Sequence, residues 1–197
     1  MLDDLALRAN YWKDSLAPYQ DRHDLADSIP YPYAGLEHLF DGKDVLEIGP
    51  GRGRQYVNLR KRVDTYSLCD IVHLDKVMYG EDQKYWITDY DIELSADFDV
   101  IHFWYVIHHI KLDELPKFFK FLWKHLRLGG IILFNTPWLG NERKWYVGDG
   151  IGTTYIDKDT IIDFSYSWFN IFHAAILNER SCGYVFGLRK YAITEWR

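Results

Sequence analysis

The chain has 197 residues, a length that fits one domain with a sizeable core. Its formal charge of −6 excludes a surface built for a phosphate backbone, and no apolar run reaches the ~20 residues of a membrane-spanning helix. Aromatic residues make up 17% of it, with 8 Trp and 15 Tyr, which points to a core plus a lined pocket or interface. Cys69 and Cys182 are the only cysteines and form no C-x-x-C pair, and Met1-Leu2-Asp3-Asp4 carries no signal-peptide pattern. The expectation is therefore free thiols in a reducing, cytoplasmic setting.

Residues 1–40 are polar and aromatic: Tyr11, Trp12 and Tyr19, then Ile29-Pro30-Tyr31-Pro32-Tyr33. The two prolines enforce extended backbone before a short helical pattern at Leu36, Leu39 and Phe40. This segment reads either as a flap over one sheet edge or as a lid over a ligand.

Asp44-Val45-Leu46-Glu47-Ile48-Gly49-Pro50-Gly51-Arg52-Gly53-Arg54 organises the rest of the chain. A buried strand ends on an acid, breaks into three alternating glycines and gives way to a helix-compatible run from Arg54 to Leu59. Glycine lets the backbone turn sharply and lets a ligand approach where a Cβ would clash. The turn also aims free N–H groups of a helix start at that ligand. A dinucleotide fingerprint, G-x-G-x-x-G, would place its third glycine one residue later, where Arg54 stands, and the Glu47 carboxylate would repel a diphosphate. A ligand carrying positive charge suits Glu47 better. The pattern E-x-G-x-G-x-G resembles motif I of the class I S-adenosylmethionine (SAM)-dependent methyltransferases, whose cofactor has a sulfonium and an ammonium but no phosphate. In that family the first segment would be a lid over the cofactor.

Thr65 to Cys69 reads as a second strand closing on Asp70, where a carboxylate can accept two hydrogen bonds from a ribose diol. The same acid resembles the family's acidic position at the end of strand two. A short amphipathic stretch with Leu74, Val77 and Met78 leads to a third strand at Tyr85–Thr88. The resemblance implies that the following acid, Asp89 with Asp91 in reserve, faces the adenine amino group and that its neighbours flank the ring. Phe98 to Val106 fits a fourth strand of the family's Phe-Asp type, with Phe103 near its end on the cofactor side. The continuation Val106-Ile107-His108-His109-Ile110 resembles the family's hydrophobic-His-His-hydrophobic exit from that strand.

Asp113 is a plausible N-cap for a helix carrying Leu115, Phe118, Phe119, Leu122 and Leu126 at helical spacing. Gly129-Gly130 is expected to stop it before a buried strand at Ile131–Asn135. Residues 136–154 read as a long loop rich in Gly, Trp and Tyr. Trp138, Trp145 and Tyr146 in that loop are the candidate walls of the substrate pocket. A helix near Asp157–Phe164 and strands near Phe169–Leu177 and Gly183–Tyr191 complete a set of seven strands.

Strand and helix alternate through strand five, which implies a doubly wound α/β fold with a mostly parallel seven-stranded sheet and ligands at the strands' carboxyl ends. One domain is expected over residues 1–197, with 1–40 as lid or flap and 41–197 as the SAM-binding core. The resemblance covers about residues 40–190. It implies SAM held by Glu47, Gly49, Gly51, Gly53, Asp70, Asp89 and Phe103, and a methyl group passed to O or N of a small polar acceptor such as a sugar. His109 at the exit of strand four is the candidate general base, with His108 in the same niche if the turn shifts by one residue. No His and carboxylate spacing calls for a metal. Nucleic-acid acceptors are excluded by the charge and by the absence of an Asn/Asp-Pro-Pro-aromatic motif after strand four. The chain is expected to act as a monomer or homodimer. The alternative is a non-catalytic SAM-binding or scaffold protein that keeps the fold.

Overall fold

The computed structural model describes residues 33, 35–51, 53–72, 80, 82–87, 89–136, 145–148, 151–154, 158–166, 168–178 and 183–191. The lead-in before Tyr33, the stretch around Leu74 to Met78, Trp138 and Cys182 lie outside them. Five strands run parallel: β1 (Asp44–Ile48), β2 (Thr65–Asp70), β3 (Gln83–Trp86), β4 (Phe98–Phe103) and β5 (Leu126–Thr136). Two more, β8 (Phe169–Asn178) and β9 (Gly183–Lys190), pair antiparallel with each other, and β9 pairs antiparallel with β5. The sheet order is β3-β2-β1-β4-β5-β9-β8. The chain winds outward from β1 through β2 to β3, then returns to the other side of β1 with β4. A crevice opens between the carboxyl ends of β1 and β4, where a doubly wound sheet takes its ligand.

Alternation along each strand builds the two layers. Leu46, Ile48, Cys69, Ile101, Phe103, Ile132 and Phe134 pack on one face with Leu115, Phe118, Phe119 and Leu122 of helix α2 (Leu115–His125) and Ile161 of helix α3 (Lys158–Tyr166). Val45, Tyr66, Leu68, Val100 and Leu133 pack on the other face with Leu59, at the end of helix α1 (Arg54–Leu59), and with Tyr33 and Phe40. The described end of the N-terminal segment is thus core: Tyr33 and Phe40 are fully buried.

Several boundaries differ from the sequence expectation. β3 begins two residues early, because an edge strand exposed at Gln83 and Trp86 has little apolar pattern to mark it. β4 ends at Phe103, and a 3-10 turn at Ile107–His109 follows. Asp113 is not the N-cap of α2; Glu114 takes that position without a side-chain cap, and Pro116 needs no partner for an N–H it lacks. Gly129-Gly130 does not stop α2. The helix ends at Leu126, which turns extended and enters β5 directly, while Lys190 Nζ donates to the carbonyls of Trp123 and Leu126. The glycines instead shape a bulge, since β5 pairs Leu126 with Phe98 and next Ile131 with Val100. Residues 136–154 contain more than a loop: β6 (Trp145–Gly148) and β7 (Ile151–Thr154) form an antiparallel hairpin.

Gly130 marks the tightest point of that bulge. A Cβ there would sit 2.8 Å from the Arg127 carbonyl oxygen and 3.0 Å from that of Asp99, with backbone on both sides unable to swing away. Gly130→Ala is expected to cost ~1–3 kcal/mol and to lower Tm by roughly 3–10 °C in a thermal melt.

Candidate active site

The glycine loop leaves β1 with Gly49, Gly51 and Gly53 at φ of 63°, 56° and 72°, a conformation that other L residues adopt at a cost. Space matters most at Gly49. A Cβ on it would fall 2.6 Å from Cγ2 of Val106, which approaches from beyond β4. The loop is held by the Gly49 N–H donating to the Cys69 carbonyl at 2.8 Å. Gly49 and Gly51 line a pocket closed by Asp70, Ile71 and Val72 from the end of β2, and by Trp104, Tyr105, Val106 and His109 from the exit of β4. Ile87, Tyr90 and Phe118 complete the far wall. Among the described lining residues there is no Lys or Arg, and the one acid is Asp70.

Asp70 accepts a hydrogen bond from the Val72 N–H at 3.2 Å. Burial nevertheless pushes its carboxyl up to about 6, against the opposing pull of the Val72 and Ile71 N–H groups. Glu47 lies beneath the loop with only 2% of its surface exposed. Burial pushes it up to about 8; the Tyr66 hydroxyl, donating to Oε2 at 2.7 Å, works against this, and the neighbouring Asp70 adds to it. Two carboxyl groups thus stand at the ends of adjacent parallel strands, and among the described residues no Lys or Arg lines the pocket beside them.

The exit of β4 is bent rather than extended. Tyr105 has φ 57°, the one positive-φ residue other than glycine in the described chain. Its N–H donates to Oδ1 of the buried Asn135 at 2.7 Å, which anchors this conformation from β5. The next residues form the 3-10 turn that carries the two adjacent histidines. His109 lines the pocket. His108 is buried with its ring 3.8 Å from that of His109, and burial together with that neighbour holds it well below the usual histidine range.

Gly49, Gly51, Asp70 and His109 are therefore brought together, with Glu47 just below and Gly53 at the head of α1. Asp89 is not at the pocket: it is exposed, and its Oδ1 accepts from the Asp91 N–H at 2.8 Å, so a local turn takes it up. Asp91 is exposed too, and Tyr90 between them reaches the wall. Phe103 is not at the wall either. It is fully buried and stacks on Phe134 at 4.8 Å behind Phe118, because the inward face of a central strand belongs to the core. Trp138 lies outside the described residues, and Trp145 and Tyr146 fall on β6, whose partner β7 packs against the turn carrying His108 and His109. Trp104, Tyr105 and Val106 line the pocket without any sign in the sequence; the only hint of Tyr90 was its place beside Asp89.

A family model described as a methyltransferase domain matches residues 19–153, more than half of the chain. The chain belongs to the methyltransferase-domain family. Solved structures share its fold, that of the class I SAM-dependent methyltransferases. The 1,6-didemethyltoxoflavin-N1-methyltransferase of Burkholderia thailandensis, with 1,6-didemethyltoxoflavin and S-adenosylhomocysteine bound, is 16% identical over 98% of this chain and 92% of that one, at a TM-score of 0.78. The N-methyltransferase NodS of Bradyrhizobium japonicum, bound to S-adenosylhomocysteine, is 15% identical over 95% of this chain and 99% of that one, at 0.69. Magnesium protoporphyrin IX methyltransferase of Synechocystis, with SAM bound, is 14% identical over 96% of this chain and 98% of that one, at 0.66. No curated protein sequence matches this methyltransferase domain.

The Asn135 anchor gives a direct test of the bent exit. Asn135→Ala removes the acceptor that pins Tyr105 and should cost ~1–3 kcal/mol. The urea midpoint is expected to fall at an unchanged slope.

Proposed function

We propose that this chain binds SAM in the pocket beside its glycine loop and transfers the methyl group to O or N of a small polar molecule. The observation that carries the reading is the pairing of Asp70 and the buried Glu47 beside a glycine cradle whose described walls hold no Lys or Arg. Such a site repels a diphosphate and suits a ligand with a diol at one end and a cation at the other. Gly51 fits the same reading, since a Cβ there would meet nothing within 4 Å and a ligand can approach bare backbone, whereas Gly49 makes room for Val106.

In this reading Asp70 accepts from the two ribose hydroxyls, Gly51 gives the backbone approach, and Tyr90 with Ile71 flanks the adenine. Glu47 answers the ammonium. SAM supplies a methyl group already activated by its sulfonium. What remains for the chain is to hold the acceptor in line with that methyl, to exclude water and to receive a proton. His109 is the group placed to receive it, because it lines the pocket and a neutral imidazole nitrogen accepts a proton. His108, tilted against it with ring centroids 3.8 Å apart, orients its ring. The β6–β7 hairpin, whose β7 packs against the turn carrying His109, forms the acceptor's side of the pocket in this reading.

Titration calorimetry tests the cofactor half. S-adenosylhomocysteine should bind and NAD should not, whereas tight NAD binding alone would overturn the assignment. Asp70→Ala should weaken S-adenosylhomocysteine by about one to two decades, the loss of charge-assisted hydrogen bonds worth ~1.5–3 kcal/mol.

The catalytic half is tested by S-adenosylhomocysteine formation against a panel of hydroxyl and amine acceptors. His109→Ala should keep the cofactor affinity and lower turnover on a hydroxyl acceptor by ~10²-fold or more. Unchanged turnover removes His109 from the chemistry, and no turnover on any acceptor by the parent favours a binding protein.

A further inference from the structure

Asp70 closes β2, and the chain beyond it leaves the sheet. The last rung toward β3 joins the Ile87 N–H to the Asp70 carbonyl at 2.8 Å, and Ile71 lies past it. A side chain takes up the Ile71 carbonyl. Trp86, the last residue of the edge strand β3 and the register partner of Asp70, donates its indole Nε1–H to that oxygen at 2.9 Å. Trp86 is 51% exposed, so filling the core is not the chief use of its ring.

The Ile71 carbonyl and the Val72 N–H belong to one planar peptide unit. Trp86 holds its oxygen end, and its N–H end donates to Oδ1 of Asp70 at 3.2 Å. The two groups that hold it have opposite and fixed roles. An indole N–H can only donate, and an ionised carboxylate can only accept. Between them the peptide has one orientation. Turning it over would set an N–H against an N–H and a carbonyl against a carboxylate. The Ile71 N–H reaches the same carboxyl, but it belongs to the preceding peptide, so losing Trp86 would loosen the carboxyl only in part.

We infer that Trp86 is a positioning residue for Asp70: it locks the Ile71–Val72 peptide so that the Val72 N–H fixes the direction of the carboxylate. Asp70, Ile71 and Val72 line the pocket, whereas Trp86 does not and acts through them. The clamp stands on its hydrogen bonds alone. Its use in holding a ribose diol rests on the SAM reading above.

Trp86→Phe keeps an aromatic ring on the edge strand and removes the N–H. Amide exchange by NMR on the ligand-free protein reads the clamp. Val72 exchange should rise by about 3–10-fold, the loss of one part-exposed hydrogen bond, while Ile87 on the last rung keeps its rate. An unchanged Val72 rate overturns the inference. Equal acceleration of both amides overturns it too, because Trp86 would then merely hold β3 in place. Calorimetry reads the use of the clamp: S-adenosylhomocysteine should bind Trp86→Phe about 3–10-fold more weakly than the parent. In the Asp70→Ala background the same substitution should leave the affinity unchanged, since no carboxylate is left to direct. Equal losses in the two backgrounds, or no loss in either, overturn the positioning role. If S-adenosylhomocysteine does not bind the parent, the proposed function falls and amide exchange alone decides the clamp.

Discussion

A carboxyl group shut inside a protein must be answered by hydrogen-bond donors, by a positive charge or by a proton. Glu47 is such a group, and the middle of the molecule is arranged around it. β2 brings Tyr66 to its oxygen, β4 brings His102 behind Tyr66, and the N-terminal segment brings Tyr33 behind His102. None of these contacts supplies a cation. The strand-end acid thus lies beneath the pocket with the Tyr66 hydroxyl on one oxygen, and burial favours its neutral form. The same constraint explains why this face of the sheet carries tyrosine and histidine where aliphatic side chains would pack as well.

The sheet was largely legible because its strands are marked by chemistry that physics makes redundant. A parallel strand buried on both faces is a run of Val, Leu and Ile, and it needs a turn where it meets a ligand. Val45 to Gly53 shows all of this within nine residues. The boundaries that slipped are those decided by partners distant in sequence. Nothing near Leu126 foretells that Lys190 will take up the last carbonyls of α2, nor that Gly129 and Gly130 serve a bulge. The β6–β7 hairpin is hidden because Gly148 to Gly152 reads as loop chemistry, and only the pairing reveals a turn with two short arms.

The site divides in the same way. Asp70, Gly49 and Gly51 could be placed at the pocket because a position at a strand end forces them there. Asp89 and Phe103 stood at equally suggestive places, yet an exposed turn took one and the core took the other. Whether a side chain at a strand end faces ligand, water or core depends on one residue of register. His102 carried no signal at all: in sequence it is a single histidine inside an apolar strand, and its meaning comes only from Tyr33 and Tyr66, which lie 69 and 36 residues away.

The sheet order has a consequence for how such a chain is made. β8 is synthesised before β9, yet in the described sheet β9 is the strand it pairs with, and β9 also covers the far edge of β5. Until Gly183–Lys190 has emerged from the ribosome, the growing chain holds two open edges, each ready to pair with whatever strand comes near. β9 pairs with both of them, and its last residue, Lys190, also closes the end of α2. Translation thus holds back the locking step of assembly, and a ribosome that stalls just short of it leaves a nascent chain open to aggregation.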